Sequence, residues 1–314
     1  MGTLTPVGST ESLDASAMRE PDSSVAAAFV LGGGGNLGAL QVGMMYALVE
    51  SGLRPAMIVG TSVGAINGAF LASRSDLPGI AEIARLWASL RRKDVLGIDL
   101  GTLVGGLRRS PRHLFDASSI RNILESFLGF GRLEDAPIPL AVVATDLRSG
   151  EAVVLDRGDA TRALLASSAI PGIFPPVEIG GRLLVDGAAA ADVPLRQALS
   201  LGARDLYVLP TAPAQVVSWV TRLGEETSRI VDRPSRRCSS HDRSGPDRSA
   251  PPVVRVVPPP PMHVPLAYLG HSPSLLRLGY EQARAWLDGH PTPVQTRAVG
   301  RTGRRAMRPV AALP

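Results

Sequence analysis

Short apolar runs alternate with helix-like stretches in the first part of the chain. The runs at 26–31 and 57–59 have the aliphatic composition of buried strands, and a glycine-rich turn follows each of them. The apolar stretches at 40–50 and 63–72 come after these turns and have helical character. This order predicts a strand–turn–helix unit that occurs twice, and it is typical of an α/β fold.

The patterning downstream predicts further elements of both kinds. Apolar residues recur at helical spacing around Trp87 and around Leu124, which predicts two packed helices with Trp87 in the core. Asp116 and Ser118 are expected to cap the helix around Leu124. Asp146 ends a predicted strand, and we assign it a role in the following turn. We expect further strands at 138–145, 151–155, 177–179, 182–185, 205–209 and 253–257, and further helices at 161–168, 195–198, 214–231 and 275–287.

The 314 residues divide by composition into one α/β domain and several polar segments. Hydrophobic residues make up 45% of the chain and charged residues 19%, which is an ordinary balance for a globular protein. We predict an α/β domain at 25–232, with residues 253–289 adding a strand and a helix that pack on it. Residues 1–24, 233–252 and 290–314 are polar segments, and we expect them to be disordered.

Charge and cysteine content indicate which cellular location and which kinds of partner to expect. The formal net charge is +5, but no aromatic residues interleave with the arginine clusters, so we expect no nucleic-acid partner. The single cysteine, Cys238, cannot form an internal disulfide, which favours a cytoplasmic location, either free or peripheral to a membrane. Residues 25–49 carry no charge, but glycines interrupt them, so we expect a buried strand, loop and helix and no transmembrane helix.

The second glycine-rich turn, Gly60-Thr61-Ser62-Val63-Gly64, fits the pattern G-x-S-x-G. In a nucleophile elbow of this kind, a serine occupies a sharp turn between a strand and a helix, with its hydroxyl exposed. Gly60 and Gly64 suit such a turn because side chains there would crowd the tight backbone. The predicted strand and helix on either side supply the required context. Ser62 is therefore the candidate nucleophile.

The first glycine-rich turn supplies candidate donors for an oxyanion. Consecutive glycines can direct several main-chain N–H groups into one concavity, and such preorganised donors are usually the largest contribution to catalysis. The candidates are Gly33, Gly34 and Gly35.

The same turn raises an alternative, a nucleotide-binding oxidoreductase. Gly33, Gly35 and Gly38 fit the dinucleotide fingerprint, which requires an acidic residue at the end of the next strand to hold a ribose. That strand ends in the Ser62 turn and has no acidic residue there, so this alternative is the weaker one. No group of His, Cys and acidic residues has the spacing of metal ligands, and we expect neither a cofactor nor a metal.

A serine nucleophile needs a neighbouring base that accepts its proton. The histidines are His113, His241, His263, His271 and His290. His271 and His290 come late enough in the chain for a Ser-Asp-His order, but neither lies on a strand-end loop. Asp186 ends the predicted strand 182–185, and the small residues Gly187 and Ala188 after it allow a close approach to another backbone.

Three motifs of the chain resemble the signatures of the patatin-like phospholipase family. They are residues 32–38, Gly60-Thr61-Ser62-Val63-Gly64 and Asp186-Gly187-Ala188, and the segments 144–147 and 166–176 resemble blocks between them. The resemblance implies a patatin-like three-layer α/β/α sandwich with a central, mostly parallel sheet. It also implies a Ser62–Asp186 dyad, in which Asp186 receives the serine proton directly.

The resemblance further implies a serine lipid acyl hydrolase of the phospholipase A or lysophospholipase kind. Its partner would be a lipid ester, met at a membrane surface or away from one, and it would cleave the ester through an acyl-enzyme. Two residues depart from the family pattern: Leu37 stands where relatives commonly have Arg or Lys, and Asp192 where they often have Asn. The missing cation at Leu37 suggests the alternative of a catalytically silent protein that binds lipid or regulates a partner.

Overall fold

The computed structural model describes residues 27–90, 117–213, 215, 252–260 and 272–290. In chain order the elements are β1 (Ala27–Leu31), α1 (Gly38–Glu50), β2 (Met57–Thr61), α2 (Val63–Ser73), α3 (Leu77–Ser89), α4 (Ser118–Phe127), β3 (Leu140–Asp146), β4 (Ala152–Leu155), α5 (Ala160–Ser167), β5 (Val177–Ile179), β6 (Arg182–Asp186), α6 (Ala188–Ala191), α7 (Leu195–Ser200), β7 (Asp205–Leu209), β8 (Val253–Val256) and α8 (Ser272–Gly289). Short 3-10 turns lie at Gly35–Leu37 and Leu133–Asp135. The predicted segments 1–24, 214–231, 233–252 and 290–314 lie almost entirely outside the described residues.

The strands of the described residues form one sheet of eight strands. Its hydrogen-bonded path runs β5-β6-β3-β2-β1-β7-β8, and β4 also pairs with β3. The central pairs, from β3 through β2, β1 and β7 to β8, are parallel. The pairs β3–β4, β3–β6 and β5–β6 are antiparallel. The prediction of an α/β fold with a mostly parallel central sheet is therefore confirmed.

Both faces of the sheet are buried, which explains why its central strands are continuous apolar runs. Side chains alternate along a strand, so Phe29 and Leu31 of β1 lie in one hydrophobic cluster while Ala28 and Val30 lie in another. The first cluster includes residues of α1, α2, α3, α4, α5 and α8. The second includes residues of α7. The result is the predicted three-layer α/β/α sandwich.

Two glycines bring α1 and α8 into close contact. A Cβ atom on Gly43 would lie 2.0 Å from the carbonyl oxygen of Leu276, and one on Gly279 would lie 2.0 Å from the carbonyl oxygen of Leu40. Neither position has room for a larger residue, so the two main chains can cross at this distance only because both are glycine. α8 is thereby packed against α1, which is buried along almost its whole length.

Two local predictions have different outcomes. Asp146, the last residue of β3, stabilises the following turn, as predicted, because its Oδ1 accepts hydrogen bonds from the N–H groups of Arg148 (2.8 Å) and Ser149 (3.2 Å). The prediction that Ser118 is the N-cap of α4 is wrong: Ala117 occupies that position, and its side chain makes no capping hydrogen bond. The other predicted cap, Asp116, lies outside the described residues.

Candidate active site

The ends of β2 and β6 meet on one edge of β3. Thr61, the last residue of β2, pairs with Val143, and Asp186, the last residue of β6, pairs with Ala144. β4 pairs with both of these β3 residues and occupies the other edge, so β2 and β6 must share the remaining one. Because Val143 and Ala144 are consecutive, this register brings Asp186 next to Ser62, although 124 positions separate the two residues.

Ser62 occupies the sharp turn between β2 and α2. Its φ of 54° and ψ of −126° are strained, and no other non-glycine residue of the described chain has a positive φ. A Cβ atom on Gly60 would lie 2.6 Å from the main chain of Ala65. One on Gly64 would lie 2.4 Å from the carbonyl oxygen of Leu31. The backbone therefore has the strained strand–turn–helix geometry that a nucleophile elbow requires.

The Ser62 hydroxyl points at the carboxylate of Asp186. Ser62 Oγ donates a hydrogen bond to Asp186 Oδ2 at 2.6 Å, and the main-chain N–H of Ala188 donates to Asp186 Oδ1 at 2.8 Å. Burial raises the pKa of the Asp186 carboxyl above its usual value, the two hydrogen bonds lower it, and the charge of Asp192 raises it further. The balance is a raised pKa, which makes the carboxylate a stronger base.

Gly187 allows the Asp186 turn to lie directly against β3. A Cβ atom on Gly187 would lie 2.1 Å from the carbonyl oxygen of Val143 and 2.9 Å from the side chain of Thr61. The N–H of Gly187 donates to the carbonyl oxygen of Ser167 at 3.2 Å. A side chain at this position would push Asp186 away from Ser62.

The three candidate oxyanion glycines differ in their hydrogen bonding, and a Cβ atom on Gly33 would lie 3.5 Å from the Cβ of Ser62. The N–H of Gly33 already donates to the carbonyl oxygen of Asp192 at 2.9 Å. The N–H groups of Gly34 and Gly35 have no acceptor among the described residues. Both glycines have a positive φ, 144° and 56° respectively, which favours glycine at these positions. In this conformation the N–H groups of Gly34 and Gly35 are free, whereas that of Gly33 is already bonded, and the assignment of the three glycines as oxyanion donors stays a prediction.

Gly38 ends the same turn, and it closes the gap to the serine turn. A Cβ atom on Gly38 would lie 2.4 Å from the Val63 side chain and 2.6 Å from the Trp87 ring. The glycine therefore allows α1 to begin directly against the start of α2.

A family model of patatin-like phospholipases matches residues 29–199, which include both glycine turns and the Ser62–Asp186 pair. The chain belongs to the patatin-like phospholipase family. An NTE family protein of Mycobacterium tuberculosis is 33% identical over 223 residues, which are 67% of this chain and 59% of that protein. The patatin-like phospholipase domain-containing protein 7 of Rattus norvegicus is 30% identical over 184 residues, which are 57% of this chain and 13% of that protein. The chain thus matches less than two thirds of the length of these relatives.

A solved structure shares the fold of this patatin-like chain. It is human GIVD cytosolic phospholipase A2 in complex with the inhibitor methyl gamma-linolenyl fluorophosphonate and terbium chloride. The two superpose with a TM-score of 0.51 at 14% identity, covering 88% of this chain and 60% of the human chain.

Ser167, which the sequence analysis did not single out, connects the two turns of this patatin-like site. Its Oγ accepts a hydrogen bond from the Ser62 N–H and donates one to the carbonyl oxygen of Val143. Its carbonyl oxygen accepts from Gly187, as described above. The only signal in the sequence was its position in the family block 166–176, one residue from a second serine.

Buried polar side chains form a hydrogen-bonded network that contacts the glycine turn. Gln41 Nε2 donates to the carbonyl oxygens of Gly32 (3.1 Å) and Leu209 (2.8 Å). Asn67 Nδ2 donates to Gln41 Oε1 at 3.0 Å, and Trp87 Nε1 donates to Asn67 Oδ1 at 2.9 Å. Trp87 is a core residue, as predicted, and its indole N–H is the last donor of this network. Buried polar groups that are satisfied in this way hold their partners in one arrangement.

The two departures from the family pattern have different surroundings. Leu37 is buried in the hydrophobic core, so this position offers no cation to a substrate. Asp192 lies partly buried next to Gly33, and its Oδ2 accepts a hydrogen bond from Gln215 Nε2 at 2.7 Å. Burial raises the pKa of the Asp192 carboxyl, and the hydrogen bond from Gln215 lowers it.

The histidine alternative finds no support in the described residues. His290, the one histidine among them, stacks on Trp286 at the end of α8, with the ring centroids 4.7 Å apart. The other four histidines lie outside the described residues. Within the same residues, no group of three or more His, Cys, Asp or Glu side chains could hold a metal ion.

Proposed function

We propose that this protein hydrolyses carboxylic esters of lipids, with Ser62 as the nucleophile and Asp186 as the base. The observation that carries the proposal is the 2.6 Å hydrogen bond from Ser62 Oγ to Asp186 Oδ2. Membership of the patatin-like phospholipase family supports a lipid as the substrate. The strained backbone of Ser62 supports its role as the nucleophile, because such strain concentrates at functional sites.

In the first half of the reaction, Ser62 Oγ attacks the ester carbonyl carbon while its proton passes to Asp186 Oδ2. The bond from Ala188 N–H to Asp186 Oδ1 keeps the other oxygen directed at the serine. The tetrahedral intermediate then collapses. The bond between the carbonyl carbon and the alcohol oxygen breaks, and Asp186 returns its proton to the departing alcohol. The acyl group remains on Ser62.

In the second half, water takes the place of the alcohol. The water oxygen attacks the carbonyl carbon of the acyl-enzyme while Asp186 accepts a proton from the water. The fatty acid leaves when the bond between the carbonyl carbon and Ser62 Oγ breaks. The proton on Asp186 then returns to the serine. Each half has an oxyanion, and the free N–H groups of Gly34 and Gly35 are its proposed donors.

Exposed apolar side chains on and around β6 support contact with a lipid surface. Four large apolar side chains are exposed among the described residues: Leu147 (51%), Ile170 (39%), Leu183 (50%) and Val253 (49%). Leu147 lies opposite Leu183 of β6, because its N–H donates to the Leu183 carbonyl oxygen. Ile170 follows Ala169, whose carbonyl oxygen accepts the N–H of Asp186. We define Leu147, Ile170 and Leu183 as the apolar rim.

We propose that the apolar rim contacts the lipid surface that holds the substrate. No helix in the described part of the chain is long and apolar enough to cross a bilayer.

The experiment is a comparison of the full chain with its Ser62→Ala variant. Each protein is assayed with a short-chain monomeric ester and with phospholipid vesicles, and each is incubated with a fluorophosphonate that labels activated serines. We expect Ser62→Ala to lower kcat by about 10⁴-fold or more and to abolish labelling, since the nucleophile is removed.

Ser168→Ala is the matched control, because Ser168 is the neighbouring buried serine on the same segment and its Oγ has no partner among the described residues. It should keep both activity and labelling. Labelling that survives in Ser62→Ala would refute the nucleophile. A wild-type chain that hydrolyses no acyl ester of any chain length would instead favour the catalytically silent alternative.

A further inference from the structure

The loop after β7 lies beside the glycine turn. β1 and β7 are parallel neighbours, and Leu31 pairs with Leu209 at their carboxyl ends. The residues that follow the two strands therefore meet at the same edge of the sheet. This register brings Thr211 and Gln215 to Gly33, although neither residue belongs to a motif that the sequence analysis recognised.

Thr211 and Gln215 both donate to the carbonyl oxygen of Gly33. Thr211 does so through Oγ1 and Gln215 through Nε2, at 3.1 Å. The orientation of the Gln215 amide follows from its partners. Its Oε1 accepts the N–H groups of Thr211 (2.7 Å) and Ala212 (3.1 Å), so its Nε2 must face Gly33 and Asp192 Oδ2. The Thr211 proton then points to Gly33, because Gln215 Oε1 already has two donors.

These contacts fix the direction of the Gly34 N–H group. The carbonyl oxygen of Gly33 and the N–H of Gly34 belong to one peptide unit, which is planar and trans, so they point in opposite directions. Two donors hold the oxygen on the side of Thr211 and Gln215. The N–H of Gly34 is therefore directed away from them, and it has no acceptor among the described residues.

The same peptide lies against the nucleophile. A Cβ atom on Gly33 would lie 3.5 Å from the Cβ of Ser62 and 3.5 Å from the Cβ of Ala188. A Cβ atom on Gly34 would lie 2.1 Å from Thr211 Oγ1, so the contact with Thr211 also requires glycine at this position. The N–H of Gly33 is held as well, by the carbonyl oxygen of Asp192 at 2.9 Å.

We propose that Thr211 and Gln215 are positioning residues that lock the Gly33–Gly34 peptide, so that the Gly34 N–H is aimed at the oxyanion before the substrate binds. The inference rests on the proposed function and adds two residues on which that function depends. Donors that are already oriented cost no reorganisation when charge develops, which is why their alignment governs the rate. In this proposal Thr211 and Gln215 act only through the glycine peptide and not on the substrate.

The test compares Thr211→Val with Thr211→Ser in the full chain, using a monomeric ester. Valine has nearly the shape of threonine but no hydroxyl, so it removes one of the two donors to the Gly33 oxygen. We expect kcat to fall about 10- to 100-fold with KM changed less than about twofold, because a misaligned donor is felt mainly in the transition state. Thr211→Ser keeps the hydroxyl and should retain kcat to within about threefold.

Inhibitor binding distinguishes positioning from a general structural effect. A trifluoromethyl ketone forms a tetrahedral oxyanion on the serine, whereas the methyl ketone of the same chain length keeps its neutral carbonyl. Thr211→Val should weaken the first inhibitor by the same factor as kcat and leave the second unchanged. Equal weakening of both inhibitors, or an unchanged kcat, would overturn the inference. Thr161→Val is the matched control on α5, and it should change neither inhibitor constant.

Gln215→Met provides a second variant if thermal unfolding shows that Thr211→Val is not folded at the assay temperature. Methionine has a similar length and lacks both amide donors, so the same selective loss of trifluoromethyl ketone affinity is expected. If turnover depends on Ser62 and neither variant lowers kcat, only this inference fails. If the wild-type chain has no turnover, or Ser62→Ala keeps it, the proposed function fails and this inference fails with it.

Discussion

Ser167 Oγ accepts a hydrogen bond from the main-chain N–H of Ser62 at 2.8 Å and donates one to the carbonyl oxygen of Val143 at 2.6 Å. The Ser62 N–H lies beyond the last pairing of β2, so it needs a side-chain acceptor, and Ser167 is fully buried where it supplies one. One hydroxyl thus holds the strained serine turn against β3.

Ser167→Ala should damage both stability and rate. The Ser62 N–H would be left buried without an acceptor, which costs about 1–3 kcal/mol of the free energy of unfolding. The serine turn would also lose its anchor, and we expect kcat on a monomeric ester to fall about tenfold or more. Denaturant unfolding and steady-state kinetics measure the two effects. Ser168→Ala is the control, and an equal loss of stability and rate in both variants would contradict the role of Ser167.

Asp186→Asn should remove activity and increase stability at neutral pH. Asparagine cannot accept the serine proton, so we expect kcat to fall by about 10²- to 10⁴-fold. The pKa of Asp186 is raised above its ordinary value of 3.8 in the folded state. The unfolded chain therefore loses this proton at a lower pH, and stability falls as the pH rises towards and through the folded pKa.

This sign fixes how the two proteins should compare across pH. The Asn variant should have the higher free energy of unfolding above the folded pKa, and the gain should disappear below about pH 3.8. Urea unfolding of both proteins at several pH values measures the difference. A variant that is less stable than the wild type at neutral pH would contradict the desolvated carboxylate.

Asp192→Asn should move the acidic limb of the pH–rate profile to lower pH. The charge of Asp192 is one of the causes that raise the pKa of Asp186, after burial itself. Removing that charge lowers the pKa of Asp186, so the base stays ionised in more acidic solution. Asparagine can still accept the hydrogen bond from Gln215. The measurement is kcat/KM against pH for both proteins, and a limb that moves to higher pH would contradict the coupling of the two carboxylates.

Changes in the apolar rim should affect vesicle substrates only. Leu147→Ser and Leu183→Ser each remove a half-exposed leucine, and burying such a side chain in lipid is worth about 1 kcal/mol, or about fivefold in affinity. We therefore expect weaker vesicle binding and a higher apparent KM on vesicles, with unchanged kinetics on a monomeric ester. Val253→Ser is the matched control, because Val253 is equally exposed on β8 at the other end of the sheet. A similar loss of vesicle binding in all three variants would contradict a specific rim.

Gly279→Ala should loosen α8 from α1. The added methyl group would lie 2.0 Å from the carbonyl oxygen of Leu40, so the helices must separate. Overpacking of this kind costs about 1–3 kcal/mol, which denaturant unfolding would measure. Gly289→Ala is the control at the end of the same helix, since a Cβ atom there meets nothing within 4 Å. Equal stability of Gly279→Ala and the wild type would show that α1 and α8 leave room for a methyl group at this crossing.

The sequence by itself determined the local structure around Ser62 and the candidates for the site. Apolar runs between glycine turns predict β1, α1, β2 and α2 because strand and helix periodicity, glycine and chain order are all local signals. The spacing of Gly60, Ser62 and Gly64 indicates the elbow for the same reason. Ser118 shows the limit of such signals, because this residue is suited to an N-cap but lies one position after it, as the first residue of the helix.

Only the tertiary structure decided which groups meet. The pairing of β2 and β6 along one edge of β3 is a matter of register, and no periodicity in the sequence encodes it. The roles of Ser167, Thr211 and Gln215 depend on the same register, since each acts on the main chain of a distant turn. Hydrogen bonds to main-chain atoms leave little trace in the residue type of their partners, because every residue has the same carbonyl and almost every residue the same N–H. The sequence could therefore name the serine, the aspartate and the glycines, whereas the contacts that orient them exist only in the folded sheet.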